Sequence, residues 1–325
     1  MLKLARFSRL SLCALALAAS PVLAQSAYPT QPIRMVVGFP PGGISDVVAR
    51  AVASEASVEL GQTIVVENRP GAGTTIASDV VARAKADGYT LLFQDLTTHA
   101  INASLYKKLP YDTIKDFTPV AMVSSTPLLL VINASSPVKT VQELNSRIHE
   151  KPDTYFYGSS GNGTIIHLAS EMMNKAVKNN IVHIPYKGSA PLVASIISGD
   201  IEYAFSSMPP AITQVNAGKL RALAVSTPDR VSALPDVPTI REAGVPAAEL
   251  TLYSGVLGPA GMPDEIVARL NEAFGKAVQS PKVIQTFRNL GAEPLNAPPA
   301  EIAQLLQSEI SRYGKVVQET GITID

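Results

Sequence analysis

Short apolar, β-branched runs alternate with stretches of helical periodicity along most of this chain. Residues 33–37 form one such run and end in Gly38-Phe39-Pro40-Pro41-Gly42-Gly43. Ile44, Val47, Val48 and Ala51 then recur at i, i+3, i+4 and i+7, which predicts a helix with one apolar face. Residues 63–66 and 89–93 read as the next strands, with Gly71-Ala72-Gly73 and an alanine-rich helix between them. Further strands are predicted at 128–132, 154–157, 181–184, 201–205 and 222–225. Thr140 with Glu143, and Thr239 with Glu242, have capping-box spacing, and Gly244 supplies a stop. Ile302, Leu305, Leu306, Ile310 and Tyr313 form a helical stripe near the C-terminus. The β-loop-α rhythm predicts an α/β fold with parallel strands and crossover helices. One unit echoes another: strand, glycine-rich loop and helix at 33–51 recur at 154–171, which points to one equivalent loop in each of two domains.

The first 24 residues do not belong to that pattern. Lys3, Arg6 and Arg9 precede an uncharged apolar run at 10–19, and Val22 and Ala24 are small residues suited to signal peptidase. Cleavage is expected after Ala24, with export to the periplasm. The run is shorter than the ~20 residues of a spanning helix. Cys13, the only cysteine, lies in this leader at the wrong place for a lipoprotein, so the mature chain offers no disulfide or thiol chemistry. Lys+Arg and Asp+Glu are balanced at 27 each, which argues against nucleic acid as a partner.

The candidate chemistry lies in the loops. Helix-start amides and the helix dipole favour an anion. Gly42 and Gly43 let a ligand approach the backbone, Ser45 adds a hydroxyl, and Asp46 reads as a helix-start charge. The loop Gly158-Ser159-Ser160-Gly161-Asn162-Gly163-Thr164 repeats that logic with more donors. A third stretch, Lys187-Gly188-Ser189-Ala190-Pro191, adds a cation before another helix. His167 is a candidate donor to a carboxylate.

Catalytic and metal readings are weaker. The stretch 71–77 mimics a dinucleotide fingerprint but follows Asn68-Arg69-Pro70, and no acidic residue closes a second strand. Gly158-Ser159-Ser160-Gly161 is one residue short of a nucleophile elbow. The histidines, His99, His149, His167 and His183, have no metal-pair spacing. No cofactor or metal is expected.

Several motifs resemble the Bug-type receptors, the periplasmic solute-binding components of tripartite tricarboxylate transporters. They are Pro41-Gly42-Gly43 with Asp46, Asp87-Gly88-Tyr89-Thr90-Leu91-Leu92, 158–164 with His167, 182–191, and Gly258-Pro259-Ala260-Gly261-Met262-Pro263. The resemblance implies an α/β, two-domain Venus-flytrap fold with mixed, mainly parallel sheets. It assigns 25–124 plus 252–325 to the first domain and 125–251 to the second. It further implies a carboxylate held between the loop of Phe39, Pro41, Gly42, Gly43 and Ser45 and the loop of Ser159, Ser160, Gly161, Asn162, Gly163 and Thr164, with His167 behind. Thr74, Thr75 and the stretch Thr97-Thr98-His99 would line the first wall, and Gly188, Ser189 and Ala190 the second, with Lys187 a further candidate from its loop. Ser206 stands where many relatives carry an aspartate, Tyr253 where tryptophan is frequent, and Thr74-Thr75 where Gly-Asn is usual. The missing acid argues against an amino-acid ligand and for a dicarboxylate or aromatic carboxylate. Implied partners are integral membrane transporter subunits, with the receptor itself a monomer. The alternatives are an exported serine-dependent hydrolase using Ser159 or Ser160, and an orphan receptor that senses its ligand.

Overall fold

The computed structural model describes residues 28–151 and 154–321, so the expected leader and its cleavage point lie outside the described residues. Two sheets organise the chain. In the first lobe, β1 (Ile33–Val37), β2 (Ile64–Asn68) and β3 (Thr90–Asp95) are parallel, and β10 (Leu252–Pro259), β4 (Phe117–Thr126) and β11 (Glu293–Pro294) complete the order β11-β4-β10-β3-β1-β2. The second lobe has β5 (Leu128–Asn133), β6 (Phe156–Ser159), β7 (Val182–Pro185), β8 (Tyr203–Ser207) and β9 (Leu220–Val225), in the order β7-β6-β8-β5-β9. The sheets are mixed, as expected, but parallel pairing does not dominate. Four named pairings are parallel and five antiparallel, because β4, β10 and β5 run against their neighbours.

Strand direction places the loops. β4 passes through Pro127 into β5, so its C-terminal end points at the second lobe. β3 is antiparallel to β10 and therefore runs with β4, as does β1, and the carboxyl ends of both face the second lobe. There, Ser207 at the end of β8 pairs with Leu128 at the start of β5, and β6 runs parallel to β8. The carboxyl ends of β6 and β8 therefore face the first lobe. This edge-to-edge arrangement puts the loops after β1 and β6 where ligands bind in open α/β sheets.

The predicted first helix is α1 (Ile44–Leu60), its apolar stripe buried through Val48, Val52 and Ala56. After it come α2 (Thr75–Ala82) and α3 (Leu96–Leu105), and in the second lobe α4 (Val141–Glu150), α5 (Ile165–Val177), α6 (Ser189–Ser198) and α7 (Met208–Asn216). The first lobe closes with α8 (Asp264–Val278), α9 (Pro281–Leu290) and α10 (Pro299–Thr320). Thr140 caps α4 as its spacing predicts, accepting from the Glu143 amide at 3.1 Å. Thr239 and Glu242 form a reciprocal box at 3.0 and 2.8 Å, but only a turn follows, ended by Gly244 at φ 83°. A capping box nucleates a turn; too few residues follow here to propagate it.

The C-terminal helix does not keep to the first lobe. At 22 residues α10 is about 33 Å long. Ile302 and Leu306 pack in the first lobe, while Tyr313 and Val317 join the second-lobe core. Lys175 on α5 pairs with Glu319, and Arg312 donates to the Glu249 carbonyl. This helix therefore bridges the two lobes.

Candidate functional site

The loop after β1 is braced from below. Asp46 accepts from the Gly42 amide at 2.9 Å and from Asn68 Nδ2 at 2.8 Å, and it pairs with Arg50 at 3.0 Å. Asn68 Nδ2 also donates to the Phe39 carbonyl at 3.0 Å. Asp46 is buried, and all its acceptor capacity faces the protein, consistent with a helix-start charge. Gly42 needs its φ of 80°, in the left-handed region that favours glycine. Pro41, Gly42 and Gly43 are exposed, Phe39 and Ile44 half-buried, and Ser45 buried. Among the described residues, the amides of Ile44, Ser45 and Asp46 find no acceptor, which leaves three donors at the positive end of a 17-residue helix.

Thr74 supports the same loop from the side. Its backbone takes φ 77°, a left-handed conformation that costs a β-branched residue about 1–2 kcal/mol. Two side chains hold it there: Gln94 Nε2 donates to Thr74 Oγ1 at 2.5 Å, and Asn102 Nδ2 donates to the Gly73 carbonyl at 2.8 Å. A Cβ on Gly38 would lie 2.7 Å from the Thr74 Cβ, so this threonine and the first loop are in close contact. Thr75 is buried at the start of α2.

In the second lobe, Ser159 is fully buried and accepts from the Gly161 amide at 3.1 Å. Thr164 caps α5, with Oγ1 accepting from the His167 amide at 3.3 Å and donating to the Gly161 carbonyl at 2.8 Å. Ser160 Oγ donates to Thr164 Oγ1 at 3.3 Å. The Gly163 amide donates to His167 Nδ1 at 3.1 Å, so that nitrogen is an acceptor rather than the carboxylate donor the sequence suggests. The third loop is tied to the second: the amides of Tyr186 and Gly188 donate to the Ser159 and Ser160 carbonyls at 2.9 and 3.1 Å. Asn162, Lys187 and Ala190 are exposed; Gly161, Gly163, Gly188 and Ser189 are half-buried.

Three sequence candidates sit differently from expectation. His99 is fully buried: its ring stacks on Tyr111 at 5.8 Å, and Nε2 lies 3.1 Å from the Thr113 carbonyl. Burial pushes it down to about 4, and it is a core residue of the first lobe, because helical periodicity turns it away from its neighbour Thr98. Thr98 is half-buried, its amide capped by Asp95 at 2.9 Å. Ser206 is fully buried, with its hydroxyl on the Ser207 carbonyl at 3.2 Å. Its neighbour Ser207 is half-buried instead, and its hydroxyl lies 3.2 Å from Ser189 Oγ, the hydroxyl that begins α6. Strand alternation between 203 and 207 is the signal that separates the two serines. Tyr253 lines a cavity of about 270 Å³ with Ser125, Pro127, Arg230, Val231 and Glu293. Since β4 and β10 separate β11 from β3 and β1, this cavity lies on the flank of the crossing strands opposite the glycine loops.

The serine-nucleophile alternative gains a base but no access. His183 Nε2 lies 2.7 Å from Ser159 Oγ, a contact between residues 24 apart that no spacing rule reveals. Ser159 has no exposed surface, and its hydroxyl also lies 2.9 Å from the Gly161 carbonyl, so an acyl carbon has no approach. Among the described residues no cluster of three His, Cys, Asp or Glu side chains is placed to hold a metal.

Two α/β lobes, joined by crossing strands and each presenting a glycine-rich βα loop at the junction, define a periplasmic binding protein fold. The particular family follows from comparison. Residues 48–322 match the family described as tripartite tricarboxylate transporter family receptor, and the chain belongs to it, among the Bug-type periplasmic solute-binding receptors. Protein BugT of Bordetella pertussis is 37% identical over 304 residues, covering 93% of each chain. Among solved structures, MatC of Rhodopseudomonas palustris with bound malate is 34% identical with TM-score 0.77, covering 89% of this chain and 100% of MatC. A second R. palustris protein, solved with adipate, is 36% identical with TM-score 0.81, covering 91% and 99%.

Proposed function

We propose that this chain is a periplasmic receptor that captures a dicarboxylate or aromatic carboxylate lacking an ammonium group, for delivery to integral membrane transporter subunits. The observation that carries the reading is the pair of βα loops on one flank of the crossing strands, the first with unengaged helix-start amides. The malate and adipate held by the two R. palustris relatives support it. Each helix terminus favours an anion by about 0.3–1 kcal/mol when exposed, so two termini select charge while the walls select shape. Phe39, Ser45, Thr98, Asn162, Ser189 and Ser207 are the side chains assigned to those walls. No carboxylate stands at 206 or 207 to receive an amino group. The exported mature chain acts as a monomer, with a first domain of 25–124 plus 252–325 and a second of 125–251 hinged at Pro127 and Thr251.

Calorimetry with adipate, malate, benzoate, glutamate and aspartate tests the reading. Binding of an acid without an amino group supports it, and tighter binding of glutamate or aspartate overturns it. Gly43 has an ordinary φ of −73°, and an added Cβ would meet only the Pro40 carbonyl at 3.5 Å. Gly43→Val should therefore remove binding while shifting the ligand-free Tm by no more than about 3 °C. Retained affinity would exclude the first loop as the anion site.

A further inference from the structure

Two imidazoles hold the two ends of the second loop. His167, on α5, takes the Gly163 amide on Nδ1, and His183, on β7, contacts the Ser159 hydroxyl through Nε2. The two rings stack face to face, with centroids 3.9 Å apart and planes 10° from parallel. Tyr157 on β6 continues the stack, 4.8 Å from His183 and 6.4 Å from His167, with Tyr203 on β8 5.8 Å beyond. The Tyr157 hydroxyl donates to Glu171 on α5.

The hydrogen bonds fix protons. An amide N–H is only a donor, so Nδ1 of His167 keeps its lone pair and the ring proton sits on Nε2. An imidazolium would set two donors against each other 3.1 Å apart and release Gly163. Ser159 has one hydroxyl proton and three polar neighbours: the Gly161 amide, the Gly161 carbonyl and His183 Nε2. All are satisfied when the amide and an Nε2–H both donate to the oxygen while the hydroxyl donates to the carbonyl. Burial and the neighbouring His183 ring push His167 down to about 4, and burial pushes His183 down as well.

We propose that His167 and His183 are positioning residues for the second loop, clamping it at Gly163 and Ser159. This rests on the reading above that the loop receives a carboxylate. The clamp also decides which donors the ligand meets. The amides of Gly161 and Gly163 are spent inside the protein, leaving those of Ser160, Asn162, Ile165 and Ile166 for an incoming anion. A neutral clamp keeps that arrangement through mild acidification, when a free histidine would charge.

Imidazole proton–nitrogen correlation spectra of the ligand-free protein test the clamp directly. The expected result is a His167 ring protonated on Nε2 alone at pH 7.5, with a midpoint of about 4, against an ordinary histidine value of about 6.5. A proton on Nδ1, or a midpoint near the ordinary value, overturns the proposal. His167→Leu removes the acceptor, whereas His167→Asn places a carbonyl oxygen near the position of Nδ1. Adipate affinity should fall at least about tenfold in the leucine variant and return to within about threefold of wild type with asparagine. Gly163 amide exchange should follow the same order. Equal behaviour of the two variants would leave the stack as packing and overturn the proposal. If neither adipate, malate nor benzoate binds the wild type, the ligand reading fails, and the spectra and amide exchange, which need no ligand, still decide this one.

Discussion

Gly38 and Thr74 share a space too small for one further carbon: a Cβ on the glycine would sit 2.7 Å from that of the threonine. Gly38 directly follows the strand that delivers the first loop, and Thr74 is held in a left-handed conformation by Gln94. The loop's shape therefore depends on a side chain 36 residues away.

Gly38→Ala should push these two residues apart. Overpacking at a fully enclosed position costs about 1–3 kcal/mol, read as a lower midpoint in urea unfolding. Because the displaced backbone leads straight to Gly42, adipate affinity should fall by more than about tenfold, equivalent to 1.4 kcal/mol. A variant with wild-type affinity would show that the contact does not shape the loop.

Asp46→Ala strands three partners, the Gly42 amide, Asn68 and Arg50. These donors are partly exposed to solvent, so the cost sits near the ordinary worth of a hydrogen bond to a charged group, about 1.5 kcal/mol. Thermal unfolding without ligand should show this loss, because the carboxylate acts on the loop rather than on the ligand.

The stability of the protein should fall in acid through His99. Its folded value of about 4 lies below the ordinary 6.5, so the unfolded chain binds the extra proton more readily. That contribution is complete above pH 6.5 and is lost as pH drops towards 4. Between pH 7 and 5 the loss is about 2 kcal/mol from this residue alone. Asp95 opposes it: burial raises its carboxyl to about 6, which adds relative stability as pH falls through that value. His99→Gln isolates the first effect, and its unfolding free energy should depend less on pH than that of the wild type by this amount.

Ser207→Asp places a carboxylate beside Ser189 Oγ at the edge of the second lobe. Repulsion should weaken adipate binding by at least about tenfold, while glutamate or aspartate gains measurable affinity. An unchanged ligand profile would remove Ser207 from the site.

Much of this was legible where one residue type had one physical use. The helix start at Ile44 follows from glycines before an i, i+3, i+4 stripe, and the alternation of runs marks β1, β3 and β5. The strand β4 escapes that pattern, because Pro119 interrupts it and residues 120–123 are buried on both faces, so neither alternation nor a clean boundary survives. The site divides in the same way. Glycine-rich loops before helices announce an anion, but His183 reaching Ser159, and Ser207 rather than Ser206 facing Ser189, depend on strand pairing that no local spacing contains. His99 misleads for the opposite reason: a polar residue beside a candidate wall points inward on a helix whose other face is the wall.

The cavity beside Pro127 and Tyr253 has a mechanical reading. A rotation about the crossing strands that narrowed the gap at the glycine loops would widen the gap between Glu293 and Val231. The bond from Ser232 Oγ to Glu293 Oε1, 2.6 Å long here, spans that rear gap. Its length is a gauge of lobe angle, and a pair of spin labels on those two positions would move apart as the front moves together.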